Sequence, residues 1–182
     1  MALQLACWRN LNLGSVEIEV VVEVPKGSRN KYEMDHAVGV MRLDRDLSTA
    51  VRYPTDYGFI QDTLGEDGDP LDALVILEEP TFPGCHITCR PIGVFCMTDE
   101  KGRDLKVLAV PTWDDRQDLT QVPGFLLTGI RHFFDVYKDV EPGKYTEVGE
   151  WDGREAAEEE VSRSRERHAT RLRARKSLGF QG

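Results

Sequence analysis

From Val16 to Val24 the chain alternates, with Val16, Ile18, Val20, Val22 and Val24 on one side and Glu17, Glu19 and Glu23 on the other. A period of two is that of a half-buried β-strand, and it leaves Glu23 on the polar face near the strand's end. Apolar runs bounded by turn residues predict further strands over 38–43, 72–78, 86–97 and 105–110. Lys31-Tyr32-Glu33 places a lysine and a glutamate on one face of another extended segment. Pro80, Pro83-Gly84 and Pro123-Gly124 mark turns. Leu126, Ile130, Phe133 and Tyr137 recur at helical spacing, so a helix over 125–137 packs on the strands and delivers Tyr137 and Lys138 at its end. From Arg154 onward the composition predicts a charged helix whose apolar stripe is only Ala157, Val161 and Leu172. There is no internal repeat. The organisation expected is an extension over 1–15, one domain over 16–152, and a charged helix with a basic tail over 153–182.

At 182 residues the chain is long enough for one domain with a substantial core. Its net charge of −9 is unevenly placed: after Ser162, seven Arg and Lys residues face Glu166 alone, so the remainder is more acidic still. Such a body repels nucleic acid and suits a protein that gathers divalent cations. The tail arginines read most simply as a solvated face or a frayed end, the alternative being anion or partner binding. Cys7, Cys85, Cys89 and Cys96 are too few, and too apolar in setting, for a disulfide scaffold. Cys85-His86-Ile87-Thr88-Cys89 lacks the second ligand pair of a zinc site. No apolar run approaches the roughly 20 residues that span a bilayer. The N-terminus has neither the basic start nor the long apolar stretch of a secretory signal. The expectation is a cytoplasmic protein with no nucleic-acid or membrane partner.

The chemistry concentrates in Asp67-Gly68-Asp69-Pro70-Leu71-Asp72, three carboxylates in six positions that run directly into an apolar strand. Acids this close repel one another unless cations fill the space between them, and oxygen ligands favour Mg²⁺, Mn²⁺ or Ca²⁺. An EF-hand reading fails, because Leu71 stands where the fifth ligand belongs and Asp72 replaces the turn glycine. A second cluster, Asp99-Glu100-Lys101-Gly102-Arg103-Asp104, falls in a hairpin connection that brings Asp99 and Asp104 together. By itself it is a charged hairpin tip; two acidic clusters on strand ends point to a shared multi-metal site. Asp104 and Lys106 share a strand face. Lys31, Arg45 and the phenols Tyr53 and Tyr57 around a proline turn add groups able to meet phosphate oxygens.

Taken in order, Glu23-Val24-Pro25, Lys31-Tyr32-Glu33, Asp44-Arg45, Tyr53-Pro54 to Tyr57-Gly58, Asp67 to Asp72, Asp99-Glu100, Asp104-Leu105-Lys106 and Tyr137-Lys138-Asp139 closely resemble the family I soluble inorganic pyrophosphatases. The resemblance covers residues 16 to 150 and is strongest to bacterial, especially actinobacterial, members. Asp-Gly-Asp-Pro-Leu-Asp is its most specific motif. Three departures stand outside the motifs: the segment Met1 to Leu13, the arginine-rich tail, and a shorter stretch between Pro111 and His132. They bear on assembly more than on chemistry.

The resemblance implies a mainly β fold with α (α+β), a five-stranded OB-like β-barrel with helices packed outside. It implies hydrolysis of pyrophosphate to two phosphates with three to four Mg²⁺ ions, Mn²⁺ being a substitute. Asp67, Asp72, Asp99 and Asp104 become direct metal ligands and Glu23 a mostly water-mediated one. Asp69 becomes the base that takes a proton from the attacking water, with Asp104 the second candidate. Lys31, Arg45, Tyr57, Lys106, Tyr137 and Lys138 hold the phosphates, and Glu33, Tyr53 and Glu100 support them. Tyr137 reads equally as core without the resemblance. The assembly implied is a homo-oligomer, a hexamer in bacterial relatives. A non-catalytic OB-fold module would need a basic, aromatic face that this acidic body lacks. Ligand types alone leave open a different metal-dependent phosphohydrolase, acting on nucleotides or phosphomonoesters.

Overall fold

The computed structural model describes residues 16–177 apart from Lys101, together with Gly179. The extension over 1–15 lies outside the described residues. Among the described residues eight strands form: β1 Ile18–Val24, β2 Asn30–Asp35, β3 Val40–Asp46, β4 Asp56–Ile60, β5 Asp72–Val75, β6 His86–Asp99, β7 Gly102–Pro111 and β8 Thr146–Gly153. Two helices, α1 Gly124–Val136 and α2 Arg154–Ser177, complete the chain with one 3₁₀ turn at Leu119–Gln121. No helix among the described residues is long and apolar enough to cross a membrane.

The main sheet runs β1-β4-β5-β7-β6-β8, and β1 also pairs with β6. That second pairing closes β1, β4, β5, β7 and β6 into a ring of five strands, which removes the exposed edges an open sheet would carry. All ring pairings are antiparallel except β5 with β7. β2 and β3 form a separate hairpin.

Strand alternation divides the core into two packed faces. Leu74, Phe95, Met97, Leu108 and Val110 pack with Ile130, Phe133, Phe134 and Tyr137 from α1 and its C-cap. Ile18, Val20, Ala73, Val75, Val107 and Ala109 pack instead with Ala157 and Val161 of α2. The five strands expected from the sequence are not the five of the ring. β4 takes the place of 38–43: Asp56–Ile60 is too short, and too interrupted by Gly58, to carry an alternation. Residues 38–43 shift to β3, Val40–Asp46, because Gly39 turns the hairpin at φ +68°. Val38, Val40 and Leu43 stay exposed there, so their apolar character does not mark burial. β8, rich in Glu, Asp and Gly, also carries no strand pattern. In α2 the apolar stripe ends early: Ala157 and Val161 are fully buried, whereas Leu172 is 44 % exposed.

Gly58 sits where β1 and β4 approach most closely, and a Cβ placed on it would stand 1.9 Å from the Val21 carbonyl oxygen. Gly129, midway along α1, has nothing within 4 Å of such a Cβ. Gly58→Ala is therefore expected to cost more than about 3 kcal/mol, and Gly129→Ala to add about 0.5–1 kcal/mol. Urea unfolding of both variants checks this; equal midpoints would refute the close-approach argument.

Candidate active site

Strand register assembles the centre of the site. Across the parallel pair, Asp72 of β5 stands opposite Lys106 of β7. Asp104 lies two residues earlier on the same face as Lys106, and Tyr57, opposite Leu74 on β4, stands diagonal to Asp72. The Lys106 ammonium thus meets Asp72 Oδ2 at 2.5 Å and both Asp104 oxygens at 2.7 Å. The Tyr57 hydroxyl donates to Asp72 Oδ2 at 2.6 Å. Lys106 is only 3 % exposed. Burial pulls against its charge, but Asp72 and Asp104 together outweigh that and hold its pKa above the ordinary lysine value. Burial also raises the Asp104 carboxyl, against the pull of Lys106. The ammonium lies 5.5 Å from the centre of the Phe134 ring, so α1 roofs the group with an aromatic face.

At the far end of β6, Asp99 Oδ2 accepts from Lys138 Nζ at 2.8 Å. Lys138 follows Tyr137, the C-cap of α1, so the helix does deliver both side chains to the site. Tyr137 is core and cavity wall at once: it stacks on Phe133 and lines the cavity described below. Glu100 bridges Lys138 and Lys144, at 3.4 and 2.6 Å. In the β2–β3 hairpin Lys31 pairs in register with Arg45. Lys31 contacts Glu33 and lies 3.6 Å from Asp44, while Arg45 contacts Asp44 and forks onto Glu141 at 3.2 Å. Tyr53 is buried against Tyr57 and Phe133.

Glu23, at the polar end of β1, accepts from the Met34 amide at 2.8 Å. Burial, with Asp72 and Glu33 adding repulsion, pushes its carboxyl up to about 7 despite that hydrogen bond. Asp67 and Asp69 stand exposed on the loop between β4 and β5, where the Asp69 amide donates to Asp67 Oδ1 at 3.2 Å.

One cavity of about 420 Å³ gathers these groups. Every site residue expected from the sequence lines it: Glu23, Lys31, Glu33, Arg45, Tyr53, Tyr57, Asp67, Asp69, Asp72, Asp99, Glu100, Asp104, Lys106, Tyr137 and Lys138. Sequence reasoning did not single out Arg103, Lys144 or Phe134, which line it too, nor Glu141, which holds Arg45. Lys144 and Glu141 flank a Pro-Gly turn with no periodicity to place them; Phe134 adjoins Phe133 on the predicted helix and was legible as apolar only.

Residues 20–169 match the family model described as inorganic pyrophosphatase. The chain belongs to the inorganic pyrophosphatase family. An inorganic pyrophosphatase of Streptomyces coelicolor is 60 % identical over 156 residues, covering 84 % of this chain and 96 % of the relative. One of Corynebacterium efficiens is 53 % identical over 156 residues, covering 84 % and 99 %. Among solved structures, the inorganic pyrophosphatase of Thermus thermophilus superposes with a TM-score of 0.81 at 44 % identity, covering 87 % of this chain and 99 % of its own. Family membership thus accords with the mainly β fold and the five-stranded ring.

The acids lining the cavity offer hard oxygen donors, and Asp72 and Asp104 converge on the Lys106 ammonium. Among the described residues, no three His, Cys, Asp or Glu side chains form a ready-made cation cage. Oxygen donors of this kind suit a hard divalent cation that shares carboxylates with waters and substrate oxygens.

The raised carboxyl of Glu23 has a pH signature in the metal-free protein. Its folded value, about 7, exceeds the ordinary 4.5. The stability it contributes is therefore complete below pH 4.5 and is lost as pH rises through 7. In chelator, Glu23→Gln should match the wild type near pH 4 and gain up to about 3 kcal/mol at pH 8. Thermal melts across that range test it; a pH-independent difference would exclude a buried, titrating Glu23.

Proposed function

We propose that this chain hydrolyses inorganic pyrophosphate to two phosphates with a water activated by Mg²⁺, three to four ions in turnover with Mn²⁺ as a substitute. Family membership makes it an inorganic diphosphatase, a hydrolase of phosphoric anhydrides. The observation that carries the site assignment is the single cavity lined by five candidate ligands (Glu23, Asp67, Asp72, Asp99 and Asp104), by Asp69, and by Lys31, Arg45, Lys106 and Lys138. Acids alone would repel a compact polyanion; interleaved cations make the same space fit cation and phosphate together.

When bound, Mg²⁺ neutralises phosphate charge and lowers the pKa of water enough to supply a nucleophile near neutral pH. Arg45 presents a planar fork to phosphate oxygens, and Lys31 and Lys138 present point charges; each exchanges a carboxylate partner for substrate. Tyr57 and Tyr137 offer neutral hydroxyls, since burial raises both above the ordinary phenol value, and Tyr57 would turn its proton from Asp72 to a phosphate oxygen. Glu33, Tyr53 and Glu100 hold these donors in place. Asp69 accepts the proton of the attacking water. Asp69 takes this role as the resemblance implies, with Asp104 the second candidate. A homo-oligomer, hexameric as the resemblance implies, and a cytoplasmic location belong to the same reading. The unpaired thiols of Cys85, Cys89 and Cys96 suit a reducing compartment.

Phosphate release from pyrophosphate should vanish in excess chelator and return with Mg²⁺, while Ca²⁺ should bind but support little turnover. Parallel assays with ATP and a phosphomonoester separate this reading from a broader phosphohydrolase; faster turnover of either would reverse it. Asp69→Asn keeps shape and removes the proton acceptor. It should lower kcat by about 10²–10⁴-fold in a folded protein. A near wild-type kcat would remove Asp69 from the chemistry.

A further inference from the structure

The loop over 61–71, between β4 and β5, carries Asp67 and Asp69 and contains no helix or strand. Its base is closed by the Ile60 amide donating to the Leu71 carbonyl at 2.8 Å. Thr63 reinforces that closure, donating to Ile60 O at 2.6 Å and accepting from the Leu71 amide at 3.0 Å. The tip is held to itself by the Gly65 amide on Asp69 O, at 2.7 Å, and Gly68 turns it at φ +94°. None of these bonds fixes the tip relative to the ring.

What does so is α2. Leu64 donates its amide to Ser164 O at 3.1 Å. Arg167 Nε donates to Leu64 O at 2.7 Å, and Arg171 Nη1 to Gly68 O at 3.1 Å. The Arg167 Nη2 corner points the other way, to Glu160 Oε1 at 2.5 Å and Ser164 Oγ at 2.7 Å. Glu160 is 7 % exposed and Ser164 fully buried. Glu160 also lines a second cavity, of about 30 Å³, whose other walls include Asp67, Asp72 and Asp104. The Glu160–Arg167 pair therefore stands directly behind the acidic cluster, and the tail arginines are not simply a solvated face.

We infer that Arg167 is a positioning residue: anchored on buried Glu160, its rigid guanidinium sets the height of the Asp67–Asp69 loop over Asp72 and Asp104. This rests on the reading of Asp67 as a cation ligand and Asp69 as the base. A planar fork bonds in two fixed directions at once, whereas a lysine supplies one mobile charge. Arg167→Lys keeps the ion pair with Glu160 but loses the rigid link to Leu64 O. A purely structural arginine would be rescued by lysine; a positioning one would be rescued in stability only.

The test compares wild type, Arg167→Lys, Arg171→Ala and Arg165→Ala. Arg165, on the same helix, bonds Glu17 O at 2.7 Å, away from the loop, and serves as the control. Mg²⁺ binding by calorimetry without substrate, amide hydrogen exchange of residues 64–69 in chelator, and melting temperature are measured on each. Arg167→Lys should melt close to wild type, exchange faster over the loop, and bind Mg²⁺ about tenfold more weakly, as loss of a ligand-orienting partner does. Arg165→Ala should change neither exchange nor Mg²⁺ affinity. Wild-type exchange and affinity in Arg167→Lys would overturn the inference, as would equal losses in Arg165→Ala. Should Arg167→Lys fail to fold, Arg171→Ala decides: a loss of about threefold in Mg²⁺ affinity with faster loop exchange supports the clamp, and unchanged values refute it. Wild type that neither binds Mg²⁺ nor cleaves pyrophosphate would sink the functional reading, and this role with it; normal wild type with indifferent variants sinks only the clamp.

Discussion

The ammonium of Lys106, 3 % exposed, can be buried only against the carboxylates of Asp72 and Asp104, which stay 27 % and 23 % exposed. Without them the buried ammonium would carry a desolvation penalty of several kcal/mol. Together they sit on three adjacent positions of a single sheet face, with the Tyr57 hydroxyl completing the Asp72 contact and Phe134 closing the roof. The parallel pairing of β5 with β7 makes this possible, because it sets Asp72 beside Lys106 in register. A slip of β5 by one residue would turn Asp72 toward the opposite, apolar face and away from Lys106.

The remaining architecture follows from holding that trio. Closing the ring through β1 and β6 buries both faces of the sheet, and α1 then covers the face that carries the charges. The aromatic cluster of Tyr53, Tyr57, Phe133, Phe134 and Tyr137 gives the cavity a stiff apolar floor beneath polar tips. Basic and acidic side chains alternate around it, with Lys31, Arg45, Lys106 and Lys138 each held by a carboxylate. The opposite face is sealed by α2, which also reaches the active-site loop. One helix thus serves packing through Ala157 and Val161 and loop geometry through Arg167.

Much of this was legible in the residues. The Val16–Val24 alternation placed β1 and the polar position of Glu23; the spacing over 125–137 placed α1 and its delivery of Tyr137 and Lys138. The ordered motifs named the family, and all fifteen candidate residues line one cavity. What failed to show has a common physical cause. β4 and β8 are specified by what they pair with: Gly58 is demanded by the approach of the Val21 carbonyl, and Thr146–Gly153 by β6. The exposed apolar residues of the β2–β3 hairpin mimicked a buried strand for the same reason.

Local periodicity and residue chemistry are written within a few neighbouring positions, so the sequence by itself determined the strongly patterned elements, the acidic clusters and the pool of cationic side chains. Pairing partners belong to distant segments, so only the tertiary structure decided that the ring closes through β1 and β6 and that Lys106 sits between Asp72 and Asp104. The same holds for Arg45, which forks onto Glu141 across 96 positions, and for Arg167, which reaches Leu64 across 103. A charge run in α2 looks alike whether its arginines meet water or a loop carbonyl, because hydrogen-bond partners are chosen by the fold and leave no mark on the segment that supplies the donor.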